Sequence, residues 1–309
     1  MERPMADPPC PAGTPRQEWA TRREHGSVPL LRLMVWLALR LGRAPARLLL
    51  YPICAYFLAF AADSRAASRD YLRRVLEHPP SWLDRWRHFL AFGACVLDRV
   101  FLLNDRTDLF DISIQGGEVV RELLKPGKGC LLFGAHLGSF EVLRAMARRE
   151  GDLRVSLVMY QDNARKTNAA LNAINPVLEM EIIALGESGS MLAVASRLDE
   201  GHIVGLLADR GLDEQSMAPL PFLGAPARFP VGPFRMAALL RRPVVLMLGL
   251  YRGGNRYDIV FEQIAAPEDF SDGATGPAIE RMMRRYVERL AFHCREAPYN
   301  WFNFYRFWG

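Results

Sequence analysis

The chain has 309 residues, of which 50% are hydrophobic, and it carries a formal net charge of +5. A basic balance is compatible with nucleic acid, an anionic membrane surface or an acidic protein as a partner. The arginines lie beside apolar stretches and no RRM, zinc-finger or basic-zipper pattern is present, so nucleic acid is the least favoured of the three. The five cysteines form no CxxC pair and no Cys/His cluster at zinc-ligand spacing, so neither a disulfide framework nor a metal site is predicted.

The first 62 residues divide into two parts. Residues 1–27 are rich in Pro and Arg and lack the apolar core of a signal peptide, which predicts a disordered tail. Residues 28–62 hold two apolar segments, and helices of ~15 residues would reach only ~22 Å, short of the ~30 Å hydrocarbon core. We therefore predict a membrane-associated helical segment, interfacial or re-entrant, whose flanking arginines meet anionic headgroups. These arginines are Arg22, Arg23, Arg43 and Arg47. Core helices of a globular domain are the alternative.

Residues 63–309 show the pattern of an α/β domain. From residue 130 onward, short apolar runs alternate with helical patterns, which predicts a mainly parallel central sheet flanked by helices. The predicted strands span residues 130–135, 153–160, 203–208, 243–251 and 256–264. The predicted helices span residues 140–150, 163–179, 188–201, 232–242 and 278–296.

The segment GAHLGSFE, residues 134–141, follows the first predicted strand and opens a helix. His136 therefore lies at the carboxyl end of a strand, the edge where ligands collect in α/β sheets. A carboxylate at Glu141, in the first helical turn, could fold back to hold the imidazole as a general base. In the alternative, Glu141 complements the helix dipole and His136 is an ordinary core histidine. Gly138 and Ser139 are candidates to cap this helix.

Other enzyme motifs are weak or missing in the sequence. GESGS, residues 186–190, lacks the final Gly of a GxSxG nucleophile elbow. No P-loop and no dinucleotide fingerprint is found, so no nucleotide cofactor is predicted.

GAHLGSFE resembles the HxxxxD/E signature of the glycerolipid acyltransferase superfamily, and its Glu form resembles the lipid A late-acyltransferase branch. Later segments resemble that branch in the same order. These segments are SRLDEGHIVGLLADRG (196–211), PLPFLGAPARFPVGPFRMAALLRRPVVLM (219–247) and APYNWFNFYRFW (297–308). We expect the aromatic residues of the last segment to pack against the domain.

The resemblance implies roles for individual residues. His136 would be the general base and Glu141 its orienter, and backbone N–H groups between Gly134 and Gly138 would stabilise the oxyanion. Asp209 and Arg210 occupy the position that contacts the acceptor, since a guanidinium suits phosphate or carboxylate. The remaining substrate-binding candidates are Gly138, Ser139, Arg165 and Arg235, with Lys166 beside them.

The resemblance also implies an activity. It is transfer of a fatty acyl group from acyl carrier protein, or from acyl-CoA, to a lipid hydroxyl at the cytoplasmic face of a bacterial inner membrane, without metal or cofactor. The sequence departs from the lipid A branch in having Asp209-Arg210 where that branch often has Asp-Gln, and in lacking an Arg in residues 168–180. Another membrane lipid fits as acceptor equally well. A catalytically silent lipid-binding scaffold and a lipid esterase or thioesterase are the alternatives.

Overall fold

A computed structural model describes residues 28–125, 127–142, 153–160, 174–175, 181–185, 189–211, 216–271 and 273–308. Four helices come first, and the others alternate with strands. The helices are α1 (Val28–Leu41), α2 (Arg43–Phe60), α3 (Ala62–Val75), α4 (Trp82–Leu103), α5 (Gly117–Leu124), α6 (Ser190–Asp199), α7 (Gly232–Leu240) and α8 (Gly276–Glu296).

The strands form one large sheet and one hairpin. They are β1 (Asp111–Gln115), β2 (Leu131–Gly134), β3 (Val155–Tyr160), β4 (Ile182–Leu185), β5 (Ile203–Leu207), β6 (Met217–Phe222), β7 (Ala225–Pro230), β8 (Val244–Tyr251) and β9 (Arg256–Ala265). The sheet has the order β1-β9-β8-β2-β5-β3-β4, and all its pairings are parallel except that of β8 with β9. β2, β5 and β8 lie at its centre and are almost completely buried. The predicted α/β class with a mainly parallel sheet is confirmed.

The five predicted strands all appear, as β2, β3, β5, β8 and β9, and three predicted helices appear as α6, α7 and α8. The other two predicted helices fall mostly on residues 143–152, 161–173 and 176–180, outside the described residues. The β6–β7 hairpin was not predicted. Its turn residues Leu223 and Gly224 both have positive φ, 48° and 83°, the conformation that matches the twist of a two-residue hairpin. The prolines in its strands are tolerated because neither strand has a second neighbour.

The N-terminal helices pack on the sheet domain through a buried ion pair. Arg43, at the start of α2, donates from Nε and Nη2 to the two oxygens of Asp98 in α4, each at 2.8 Å. The Asp98 side chain is 0% exposed and also accepts a hydrogen bond from Tyr257 of β9 at 2.9 Å. Arg47 donates to the carbonyl of Gly254 and to the hydroxyl of Tyr251. The prediction that Arg43 and Arg47 meet lipid headgroups is therefore wrong, because both guanidinium groups are bound to the domain. Arg22 and Arg23 lie outside the described residues.

Within the described part of the chain, no single helix is long and apolar enough to cross a membrane. Helices α2 and α3 are long and apolar enough to cross a membrane only when they are taken together, and the chain bends by 94° between them. The predicted membrane association of residues 28–62 stays a prediction.

The C-terminal segment packs inside the domain, as expected. Trp301 is fully buried against Tyr71 and Phe222. His88 of α4 is also buried and its Nε2 donates to the Trp301 carbonyl at 2.9 Å, which leaves Nδ1 to accept from the Ser68 hydroxyl. Burial lowers the pKa of His88 to about 4, so this histidine is neutral and structural.

Candidate active site

The pairing of β2 with β5 brings His136 and Asp209 together. In this parallel pair Gly134 is in register with Leu207, so His136 and Asp209 each lie two residues beyond partnered positions. Parallel strands end at the same edge of a sheet, and the two side chains therefore emerge side by side. This edge of the sheet is the predicted position of the site.

Asp209 is the hydrogen-bond partner of His136. Its Oδ1 lies 2.9 Å from His136 Nδ1, and its Oδ2 accepts from the His136 backbone N–H at 3.0 Å. An ionised carboxylate can only accept, so Nδ1 carries the proton and Nε2 has the free lone pair. Among the described residues no hydrogen-bond partner reaches Nε2, and the His136 side chain is 31% exposed.

The electrostatics favour a neutral imidazole beside an anionic carboxylate. Burial opposes ionisation of Asp209, but the charge and hydrogen bonds of His136 outweigh it and lower the pKa of Asp209 to about 2. The pKa of His136 is lowered, first by burial and then by the positive charge of Arg210, although Asp209 acts in the opposite direction. A neutral imidazole with an exposed Nε2 can take a proton from a hydroxyl.

The loop after β2 is held against β8 by two glycines. A Cβ on Gly138, whose φ is +77°, would lie 2.0 Å from the Gly249 carbonyl oxygen, and one on Gly249 would lie 2.1 Å from that of Ser139. Only glycine at both positions allows so close a backbone approach. Gly138 thus has a structural role here, and the substrate contact expected from the sequence stays a prediction.

Backbone N–H groups of this loop are already used. Those of Gly138 and Ser139 donate to the carbonyls of Asn300 and Gly249, both at 2.8 Å, and that of His136 donates to Asp209. The N–H groups of His136, Gly138 and Ser139 are therefore not free to stabilise an oxyanion. For the other backbone N–H groups between Gly134 and Gly138 that role stays a prediction.

Glu141 contacts an arginine that the sequence analysis did not single out. Its Oε1 lies 2.7 Å from Nε of Arg99, in α4, and its Oε2 accepts from the Ser139 hydroxyl at 3.1 Å. No hydrogen bond joins Glu141 to His136 among the described residues. Because Asp209 occupies Nδ1, the expected orienting contact from Glu141 is not formed. A catalytic role for Glu141 stays a prediction.

Arg210 follows Asp209 and flanks the histidine. Its Nη2 donates to the Phe302 carbonyl at 2.9 Å, and its guanidinium lies 5.1 Å from the centre of the Tyr305 ring. Its Nε is buried and has no partner among the described residues. The Asp209 side chain is 0% exposed beneath His136. It therefore positions the imidazole and does not face an acceptor, contrary to the expectation from the sequence.

The remaining candidates do not gather at this site. Arg235 is exposed on α7, and no hydrogen bond or ion pair joins its side chain to His136 or Asp209 within the described residues. Arg165 and Lys166 lie outside those residues. The described residues also contain no group of three His, Cys, Asp or Glu side chains that could hold a metal ion.

The sequence signal for Asp209 was its place at the end of a strand, like His136. Only the sheet order shows that these two strands are neighbours. For Arg99 no motif marks the residue, because its partner Glu141 is distant in sequence and the pairing depends on how α4 packs.

A histidine and a carboxylate at the carboxyl edge of a mainly parallel α/β sheet are groups that can activate a hydroxyl. Residues 84–309 match the family model described as bacterial lipid A biosynthesis acyltransferase. The match covers more than half of the chain, and the protein belongs to this family. Family membership indicates acyltransferase activity, in agreement with the resemblance noted from the motifs. A comparison with curated proteins finds no match.

Proposed function

We propose that this protein transfers a fatty acyl group from a thioester carrier to a hydroxyl of a membrane lipid, with His136 as the general base and Asp209 as its positioning residue. The observation that carries the proposal is the His136–Asp209 pair, which presents an unprotonated and partly exposed Nε2 at the sheet edge. Family membership supports acyl transfer as the reaction.

In the proposed reaction Nε2 of His136 accepts the proton of the lipid hydroxyl. The hydroxyl oxygen attacks the thioester carbonyl carbon at the same time. The buried charge of Asp209 supports the imidazolium that forms and keeps the ring in one orientation. When the tetrahedral intermediate collapses, the carbon–sulfur bond breaks and the imidazolium returns the proton to the thiolate. The ester and a free carrier thiol are the products, and no covalent acyl-enzyme is needed.

The donor we propose is acyl carrier protein, with acyl-CoA as the alternative. The chain carries a formal net charge of +5, and a basic surface would attract an acidic carrier over long distances. The acceptor is a lipid A precursor or another membrane lipid, and the proposed location is the cytoplasmic face of a bacterial inner membrane.

Mass spectrometry of total lipids from cells with and without the protein tests this function. We expect cells without the protein to accumulate a lipid that is lighter by one acyl group. Restoring the wild-type protein should abolish this accumulation. His136→Ala should fail to restore it, since removal of a positioned general base costs ~10²- to 10⁴-fold in rate. His78→Ala, at an exposed histidine of the same chain, is the matched control and should restore it fully.

The purified protein then assigns the roles. We expect Asp209→Asn to lose at least ~10²-fold in transfer rate, with the His136→Ala/Asp209→Asn double variant scarcely slower than His136→Ala alone. Additive losses would contradict action as one unit. Release of free fatty acid without transfer would indicate a hydrolase, and unchanged lipids in cells lacking the protein would refute the proposed function. Glu141→Gln in the same assay tests the predicted catalytic role of Glu141.

A further inference from the structure

Arg99 and Glu141 form an ion pair near His136. The Arg99 side chain is 44% exposed and that of Glu141 is 18% exposed. The second oxygen of Glu141 is held by the Ser139 hydroxyl, three residues after His136. An ion pair that is open to water contributes little net stability, so another anion can replace the carboxylate at small cost.

Arg99 shares one face of α4 with two exposed apolar side chains. Phe92, Val96 and Arg99 are spaced by four and three residues, which places them on the same side of a helix. Phe92 and Val96 are 41% and 43% exposed. We call these three residues the α4 stripe.

The α4 stripe adjoins the segment that borders the catalytic histidine. The Phe92 ring lies 5.3 Å from the rings of both Phe302 and Phe304, centre to centre. The Phe302 backbone N–H donates to the His136 carbonyl at 2.7 Å, and its carbonyl accepts from Arg210. An amphiphile with its chain along Phe92 and Val96 would therefore carry its polar group to Arg99, beside the base.

We propose that Arg99 binds a phosphate group of the lipid acceptor, and that Glu141 occupies Arg99 in the substrate-free protein. This inference rests on the proposed function for the identity of the acceptor. A guanidinium binds carboxylate and phosphate through the same planar set of N–H donors, so the Glu141 carboxylate stands where a phosphate oxygen pair would lie. Phosphate is favoured over a neutral headgroup because Arg210 is a second cation near His136, held by the Phe302 carbonyl that the α4 stripe adjoins.

Binding of dodecyl phosphate below its micellar concentration tests the inference, with dodecyl maltoside as a neutral probe of equal chain length. Arg99→Gln should weaken dodecyl phosphate binding at least about tenfold, since it removes a charge-assisted contact. Glu141→Gln should tighten it, because the competing carboxylate is gone. The Arg99→Gln/Glu141→Gln double variant should bind like Arg99→Gln. Arg285→Gln, at an exposed arginine of α8, removes the same charge and should bind like the wild type.

Opposite signs for the two single variants are required, since a merely structural ion pair would weaken binding in both. Equal binding by the wild type and Arg99→Gln overturns the inference, as does tightening by Glu141→Gln that persists without Arg99. Phosphopantetheine serves as a third probe. If Arg99→Gln weakens its binding and leaves dodecyl phosphate unaffected, Arg99 serves the donor and the proposal is wrong.

These measurements separate the inference from the proposed function, because binding needs no turnover. His136→Ala should bind dodecyl phosphate like the wild type. Opposite effects of the two variants in a protein that transfers no acyl group would leave the inference standing and refute the function. If the wild-type protein transfers acyl groups and the Arg99→Gln variant binds dodecyl phosphate normally, the function stands and the inference is refuted.

Discussion

At the residue scale, the protonation states of His136 and Asp209 set the pH range in which the base is competent. The neutral imidazole is the active form, and burial together with Arg210 lowers its pKa from the ordinary value of 6.5. Asp209 stays ionised because its pKa is about 2. The base is therefore ready at neutral pH.

We expect kcat/KM to rise with pH as His136 loses its proton, with a midpoint below 6.5. Arg210→Gln removes a charge that lowers the pKa of His136, so its midpoint should move to higher pH. Asp209→Asn removes a charge that raises this pKa, so its midpoint should move to lower pH while the plateau rate falls. A pH–rate profile of the three proteins measures these shifts. Movement of both variants in the same direction, or a wild-type midpoint above 6.5, would contradict the assignment.

At the element scale, helix α2 is part of the packed domain. Arg43 is 11% exposed and forms a bidentate pair with Asp98, which is completely buried and also bound by Tyr257. Removing one partner of such a pair leaves an uncompensated charge in the interior. A deletion of residues 28–62 would remove the partner of Asp98, so membrane binding is better tested by point substitutions.

Arg43→Ala should lower the free energy of unfolding by about 3–5 kcal/mol, the usual cost of breaking a buried pair. Urea unfolding followed by circular dichroism measures the change. Arg106→Ala is the control, because Arg106 forms an exposed pair with Asp108 and its loss should leave the midpoint nearly unchanged. Equal, small effects of both substitutions would show that the α2 ion pair does not stabilise the domain.

At the scale of the whole molecule, apolar exposure is concentrated in the N-terminal helices. Among the described residues, most of the exposed large apolar side chains lie between Leu33 and Val96. Phe60 and Leu48 are 73% and 67% exposed. Exposed apolar side chains concentrated on a few neighbouring helices are typical of an interaction surface. We infer a membrane surface as its partner, because the proposed substrates are lipids and the α4 stripe borders the same helices.

A triple Leu48→Ser/Phe57→Ser/Phe60→Ser variant should bind phosphatidylglycerol vesicles at least about tenfold more weakly than the wild type, since each side chain would lose apolar burial in the bilayer. Vesicle flotation measures the binding. The matched control is Leu192→Ser/Leu239→Ser, which removes two exposed leucines from α6 and α7 and should float normally. If the triple variant floats like the wild type, these helices do not form the membrane-binding surface.

Five strands, three helices and one half of the site could be predicted from the sequence alone. Apolar runs bounded by turns predicted β2, β3, β5, β8 and β9, because strands buried on both faces have little freedom of composition. The short edge strands β1 and β4 were not predicted. β1 is mostly exposed and carries no apolar run. His136 was identified from a motif whose residues are neighbours in the chain, but the contact predicted within that motif, from Glu141 to His136, is not formed.

Only the tertiary structure decided which charges meet. Asp209 reaches His136 because β5 pairs with β2 in parallel register. Glu141 meets Arg99 because α4 shares a hydrophobic core with β2 and with the segment that carries Glu141. Arg43 likewise finds Asp98 through the docking of α2 on α4. Each of these pairs joins segments that are far apart in sequence. Their partners follow from strand order and helix packing, which depend on the burial of apolar surface across the whole domain and leave no local pattern in the chain.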